Sequence, residues 1–223
     1  MRDFSLLEIL GPIMIGPSSS HTAGAARLGK IAATIAGKGF KSVTFDLHGS
    51  FAKTYNGHGT DKALLAGVMG FSPSDERIRD SFAIADANNI GYEFVETDLG
   101  FVHPNTVKII FHYEDKPDTY IQGSSIGGGN IVITNINGTD IEFRGERPTI
   151  IAKYKDKKGI ISRITSLFAI SGFNIANMNV IRNGRVATLL CEFDGDVDPG
   201  ILDDINRIDD FDFTTFINVG KDD

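Results

Sequence analysis

The last third of the chain constrains the fold most. From Thr149 the pattern runs strand (Thr149–Tyr154), turn (Lys155–Lys158), helix (Gly159–Ser171), strand (Asn174–Arg182), an Asn183-Gly184 turn, strand (Arg185–Phe193), helix (Pro199–Arg207) and strand (Phe211–Val219). Asn-Gly is the preferred pair for a type I′ hairpin turn, Gly172 stands where a helix C-terminus favours positive φ, and Pro199 suits a first helical turn. The order β-α-β-β-α-β predicts a ferredoxin-like split βαβ unit.

The residues before it read differently. Thr22 to Ala36 places Leu28, Ile31, Ala32 and Ile35 on one helical stripe closed by Gly37 and Gly39, and Ser18, Ser19 and Ser20 offer N-cap oxygens. Val43 to Leu47 alternates as a half-buried strand that runs into His48-Gly49-Ser50. A loop around His58 then opens a helix from about Asp61 to Met69, ended by Gly70 and Pro73. Ser74 is placed to cap another helix through about Asn88. From Tyr92 the period drops to two, giving strands at Tyr92–Val95, Val107–Tyr113, Thr119–Ile126, Ile131–Ile133 and Ile141–Phe143. The charged run from Glu142 to Pro148 holds a glycine and a proline, and a fresh apolar pattern follows it, which sets a domain boundary there. The reading is an α+β protein of two domains, 1–146 mixed α/β and 147–223 ferredoxin-like; 223 residues with 41% apolar content suffice for two small cores.

Charge and cysteine content narrow the function classes. The net charge is −7 and the basic residues are scattered, so no nucleic-acid partner is expected. The apolar stretch Phe4–Ile15 is broken by Glu8, Gly11 and Pro12, with neither a basic leader nor a cleavage site, so it reads as neither signal peptide nor membrane span and predicts a cytoplasmic protein. Cys191 is the single cysteine, which excludes an internal disulfide and a self-contained thiolate cluster. In phase with Ala187, Leu189 and Phe193, it reads as a buried, protonated side chain. With no His-x-x-x-His spacing and no associated carboxylate cluster, no metal is assigned to this chain.

Two histidines stand in glycine- or serine-rich settings, each read as lying just ahead of a helix: Gly16-Pro17-Ser18-Ser19-Ser20-His21-Thr22 and Asn56-Gly57-His58-Gly59-Thr60-Asp61. Hydroxyls and free N–H groups at a helix N-terminus receive anions, and an imidazole beside them moves protons near neutral pH, so the pair predicts a site for a small carboxylate. Ser18, Ser19 and Ser20 would hold that carboxylate, Thr60 can cap the following helix, and Asp61 complements its dipole. His48 and His103 read as polar turn residues. Gly24 to Lys30 has phosphate-loop spacing, but Ile31 replaces the required hydroxyl and the stretch lies within a helical period. Gly127-Gly128-Gly129 fits either a flexible turn or a close backbone approach.

These residues carry a resemblance. Gly16 to Thr22, Gly57-His58-Gly59-Thr60-Asp61-Lys62-Ala63, His103-Pro104-Asn105-Thr106 and Ser125-Ile126-Gly127-Gly128-Gly129 resemble the β subunit of bacterial iron–sulfur-dependent L-serine dehydratase, over residues 1 to about 146. The C-terminal domain resembles an ACT domain, with Asp156-x-x-Gly159 before its first helix. The resemblance implies an α subunit that ligates a [4Fe–4S] cluster, and conversion of L-serine to pyruvate and ammonia by β-elimination. It also implies a first domain like the allosteric substrate-binding domain of phosphoglycerate dehydrogenases. His21, His58 and Thr60 match the family's catalytic motifs. Homodimerisation through the ACT domain and a regulatory ligand near Asp156, Gly159 and Asn174 are further expectations. An amino-acid-sensing regulatory protein is the alternative.

Overall fold

A computed structural model describes residues 13–208 and 211–218. Residues 4–12 of the apolar N-terminal stretch and the predicted strand end at Val219 lie outside the described residues. Contacts divide the chain into two units between Arg144 and Gly145.

The first unit opens with a π-helical turn, Ser19–Ala23, which runs without a break into α1 (Gly24–Ala36). The predicted stripe Leu28, Ile31, Ala32 and Ile35 is buried. Next come β1 (Ser42–Leu47), α2 (Gly49–His58), α3 (Thr60–Val68), a 3₁₀ turn (Glu76–Asp80), α4 (Ser81–Ala87) and β2 (Gly91–Glu96). A meander of β3 (Thr106–His112), β4 (Thr119–Gly127), β5 (Asn130–Ile136) and β6 (Thr139–Phe143) completes a sheet ordered β2-β1-β3-β4-β5-β6. β1 and β2 pair in parallel, as the long helical connection between them allows, and the other neighbours are antiparallel.

Two expectations for this unit need correction. The helix predicted from Ser74 is split: Asp75, not Ser74, caps the 3₁₀ turn by accepting from the Arg77 N–H, and Asp80 at φ −108° interrupts the path into α4. The stretch expected as a loop around His58 is largely helical. Its start is held by the Pro104 carbonyl, which accepts from the N–H of Ser50 (2.8 Å), and only Phe51 and Ala52 of its residues are buried, which leaves little apolar signal in the sequence. As its helical period predicts, Gly24 to Lys30 lies in regular α1 helix, so the phosphate-loop spacing is incidental. The Gly127–Gly129 triplet is the β4–β5 turn, with all three residues at positive φ.

The second unit contains β7 (Thr149–Lys155), α5 (Ile160–Ile170), β8 (Asn174–Asn183), β9 (Val186–Asp194), α6 (Ile201–Asn206) and β10 (Phe211–Ile217). Its antiparallel sheet is ordered β10-β7-β9-β8, the arrangement of a ferredoxin-like fold. Ile164 and Phe168 of α5 and Ile201 and Ile205 of α6 close on Ile150, Ala152, Leu189, Cys191 and Phe193. Each such large apolar side chain contributes about 1.5–3 kcal/mol by leaving water. Gly172 has φ +76° as expected. The β8–β9 hairpin turns through Gly184-Arg185 instead of Asn183-Gly184: Asn183 pairs with Val186 and Gly184 takes φ +62° at the first central position, as in a type II′ turn.

Candidate active site

Four sequence motifs converge through direct contacts. Ser18 is the N-cap of the π turn, its Oγ accepting from the His21 N–H at 3.2 Å. Thr22 donates to the backbone carbonyl of His58 (3.4 Å), which ties the first motif to the second. The Nε2 of His21 lies 3.1 Å from Ser50 Oγ, and Ser50 is anchored on the carbonyl of Pro104 in the third motif. Asn105 and Ser125 join the third motif to the fourth through Ser125 N–H to Asn105 carbonyl, 3.0 Å. A Cβ at Gly24 would run into Ser125 Oγ, so the absence of a side chain lets the start of α1 seat against the fourth motif.

At the centre the rings of His21 and His58 lie 5.1 Å apart, tilted 38°, and His21 meets Phe51 edge-on at 5.4 Å. His21 is half-buried and His58 exposed. Only the first stands at a helix entrance. His58 is the last residue of α2, and Gly59 alone, at φ +68°, links α2 to α3. Burial, and secondarily the His58 charge, hold the His21 imidazole below the ordinary 6.5. His21 therefore stays neutral and able to take a proton at neutral pH.

The sign of the linkage follows from that depressed value. Below 6.5 the unfolded chain accepts a proton that folded His21 resists, so this contribution to stability is present above 6.5 and lost as pH falls through the folded-state value. In an NMR titration the His21 ring is expected to protonate below 6.5; a ring titrating at or above that value contradicts the burial argument.

The remaining sequence candidates fall in distinct places. Ser19 and Ser20 are half-buried beside His21 in the π turn. Thr60 is fully buried, its hydroxyl without a hydrogen-bond partner among the described residues. It does not cap α3, whose N-cap position is Gly59. Asp61 does lie in the first turn of α3, accepting from the Lys62 N–H, and burial raises its carboxyl above the ordinary range. His103 accepts from the N–H of Asn105 within its own turn, whereas His48, at the N-cap position of α2, accepts from the N–H of Leu99 in the segment after β2. Sequence reasoning missed Ser50, whose only signal is its place one residue after Gly49.

In the second unit Asp156 and Gly159 line a cavity of about 380 Å³ together with Lys157, Lys158, Ile161 and Arg182, and Arg182 Nε donates to Asp156 at 3.0 Å. Asn174 is not part of it. It bonds Asp194 at the opposite end of β8, whereas Arg182 and Asn183 mark the cavity end, so one chain does not gather the three regulatory candidates.

Comparison with known proteins agrees with this arrangement. The serine dehydratase beta chain family profile matches residues 5–90, and the ACT domain profile matches residues 149–210. An L-serine dehydratase beta chain of Peptoniphilus asaccharolyticus is 44% identical over 222 residues, covering 98% of this chain and 100% of that one. A probable L-serine dehydratase beta chain of Bacillus subtilis is 41% identical over 210 residues, 93% of this chain and 95% of its own. A D-3-phosphoglycerate dehydrogenase of Archaeoglobus fulgidus is 24% identical over 207 residues, 87% of this chain but 37% of that protein, in keeping with the regulatory-domain resemblance. The near-complete span of the first two relatives, with the His21 and His58 motifs facing each other in the fold, places this chain in the L-serine dehydratase beta chain family, with a C-terminal ACT domain.

Proposed function

We propose that this chain is the β subunit of a two-chain L-serine dehydratase, completed by an α subunit that ligates a [4Fe–4S] cluster, and that it acts in the cytoplasm. Its own residues do not fit a cluster. The single thiol, Cys191, is fully buried in the core of the second unit and pushed up to about 12 by burial. Among the described residues no group of three or more His, Cys, Asp or Glu is placed to hold a metal ion. Among them, too, no helix is long and apolar enough to cross a membrane.

The observation that carries the reading is the pair of facing imidazoles, one of them kept neutral by burial. Elimination from L-serine requires removal of the weakly acidic proton on Cα and departure of the β-hydroxyl as water. His21, oriented by Ser50, is available to accept the Cα proton, and such acid–base help is worth about 10²–10⁴-fold in rate. His58 stands beside it for the second proton movement, and Ser19 and Ser20 flank the same face. The aminoacrylate that leaves tautomerises and takes up water to give pyruvate and ammonia. The complex with the α subunit is expected to form the two products in equal amounts from L-serine; a complex that assembles without forming them overturns the reading.

The proposal includes self-association through the ACT domain. β8 is an edge strand of ten residues, Ala176 to Asn179 are exposed along it, and unpaired edges invite pairing. A two-fold pairing along β8 would bring Asn174 of one copy toward the Asp156–Gly159 end of the other and complete a regulatory site. Light scattering on the isolated chain is expected to give the mass of a dimer at micromolar concentration, and a monomer there contradicts the proposal.

A further inference from the structure

A cavity of about 290 Å³ is lined by Gly16, Thr22, Gly57 and Gly59 and by three residues whose side chains can carry positive charge, His58, Lys62 and Arg79. Its size is at the small end of ligand pockets, which run about 300–1,000 Å³. In a chain of net charge −7 the concentration of cationic side chains is notable, and no carboxylate is among the described residues that line it. Lys62 donates one hydrogen bond to the Arg79 carbonyl (2.9 Å), which fixes its ammonium at the cavity and leaves two N–H donors for a ligand. The neighbouring Asp61 carboxylate is turned to the Lys62 backbone N–H at 2.8 Å. The two glycines flanking His58 add no side chain to this wall, and a Cβ at either would meet nothing within 4 Å.

We propose that this cavity is the carboxylate subsite for the amino-acid substrate, with Lys62 and Arg79 as its anchors and His58 lining the same wall. The inference rests on the serine dehydratase reading and adds the anchor to it. Of the two permanent charges of serine only the carboxylate complements a pair of cations, and Arg and Lys bind carboxylates through charge-assisted hydrogen bonds. A carboxylate held here sets the adjoining Cα beside His58, whose ring lies 5.1 Å from that of His21. Ser18, the nearest serine alternative in sequence terms, is already engaged in capping the His21 N–H.

The test uses the complex with the α subunit. Because the carboxylate keeps its charge throughout the reaction, Arg79→Gln and Lys62→Gln are each expected to raise KM for L-serine about tenfold or more and to change kcat less than about threefold. Competitive inhibition supplies a second readout: glycine should inhibit the wild type better than glycinamide, and the variants should lose that preference. An active Arg79→Gln complex with unchanged KM and unchanged preference overturns the subsite. Arg79 is exposed, so its variant carries the test even where Lys62→Gln fails to fold. A wild-type complex that makes no pyruvate defeats the dehydratase reading instead. The subsite is then decided by calorimetry, where weaker L-serine binding by the Arg79→Gln complex upholds it and equal binding, or none by either, overturns it.

Discussion

Replacing His21 or His58 by alanine is expected to lower kcat of the reconstituted enzyme by at least about 10²-fold while the complex still assembles. The expectation differs in character at the two positions. His21 is half-buried, fixed by Ser50 at 3.1 Å and by Phe51 against its edge, so its loss removes an oriented base and leaves a gap. His58 is exposed at the end of α2, and its backbone carbonyl, which holds Thr22, survives the substitution. Assembly should therefore be less affected by His58→Ala than by His21→Ala. Steady-state kinetics beside size-exclusion chromatography checks both, and near-normal kcat in the two variants contradicts the assignment.

A second large effect is expected where α1 crosses α3. A Cβ at Gly29 would collide with the Leu64 carbonyl oxygen and one at Gly67 with the Ala26 carbonyl oxygen, so each helix offers a glycine to the backbone of the other. Both obstacles are backbone, which cannot turn aside as a side chain can. Gly67→Ala is expected to cost about 1–3 kcal/mol or more, lowering Tm by up to roughly 10 °C. Activity should fall with stability, because α1 continues from the turn that carries His21 and α3 begins one glycine after His58. Thermal unfolding decides it; a Tm within about 2 °C of wild type contradicts the crossing argument.

The same crossing shows what the sequence made legible. Gly24 and Gly29 stood out only as a spurious phosphate loop, and their reason, room for Ser125 and for the Leu64 carbonyl, needs elements distant in the chain. The C-terminal unit was readable almost to the residue because turn residues bound its elements, β7 and β9 are continuous apolar runs and each helix has one apolar stripe, so local pattern and final packing agree. The exception, Gly184-Arg185 in place of Asn183-Gly184, is a one-residue shift that register with Val186 imposes. Helix α2 was hidden because it carries three glycines at or near its ends and buries only Phe51 and Ala52. His21 and His58 were legible from their polar settings. Ser50, Lys62 and Arg79 were not, since none has meaning until Pro104, the 3₁₀ turn and the π turn are brought together. The reverse holds for Thr60 and Asn174, which the motifs singled out and the fold places in the interior and at the far end of β8.

The central claim is that this chain supplies a histidine face without which its partner cannot turn over serine. The most direct measurement adds increasing amounts of this chain to a fixed amount of the α subunit and follows pyruvate release from L-serine. Neither chain alone should be active, and the rate should climb with added chain and level off at a fixed stoichiometric ratio. A chain lacking both His21 and His58 should bind at that ratio without restoring turnover. Pyruvate formed by either subunit alone, or full activity restored by the chain without its histidines, would contradict the account.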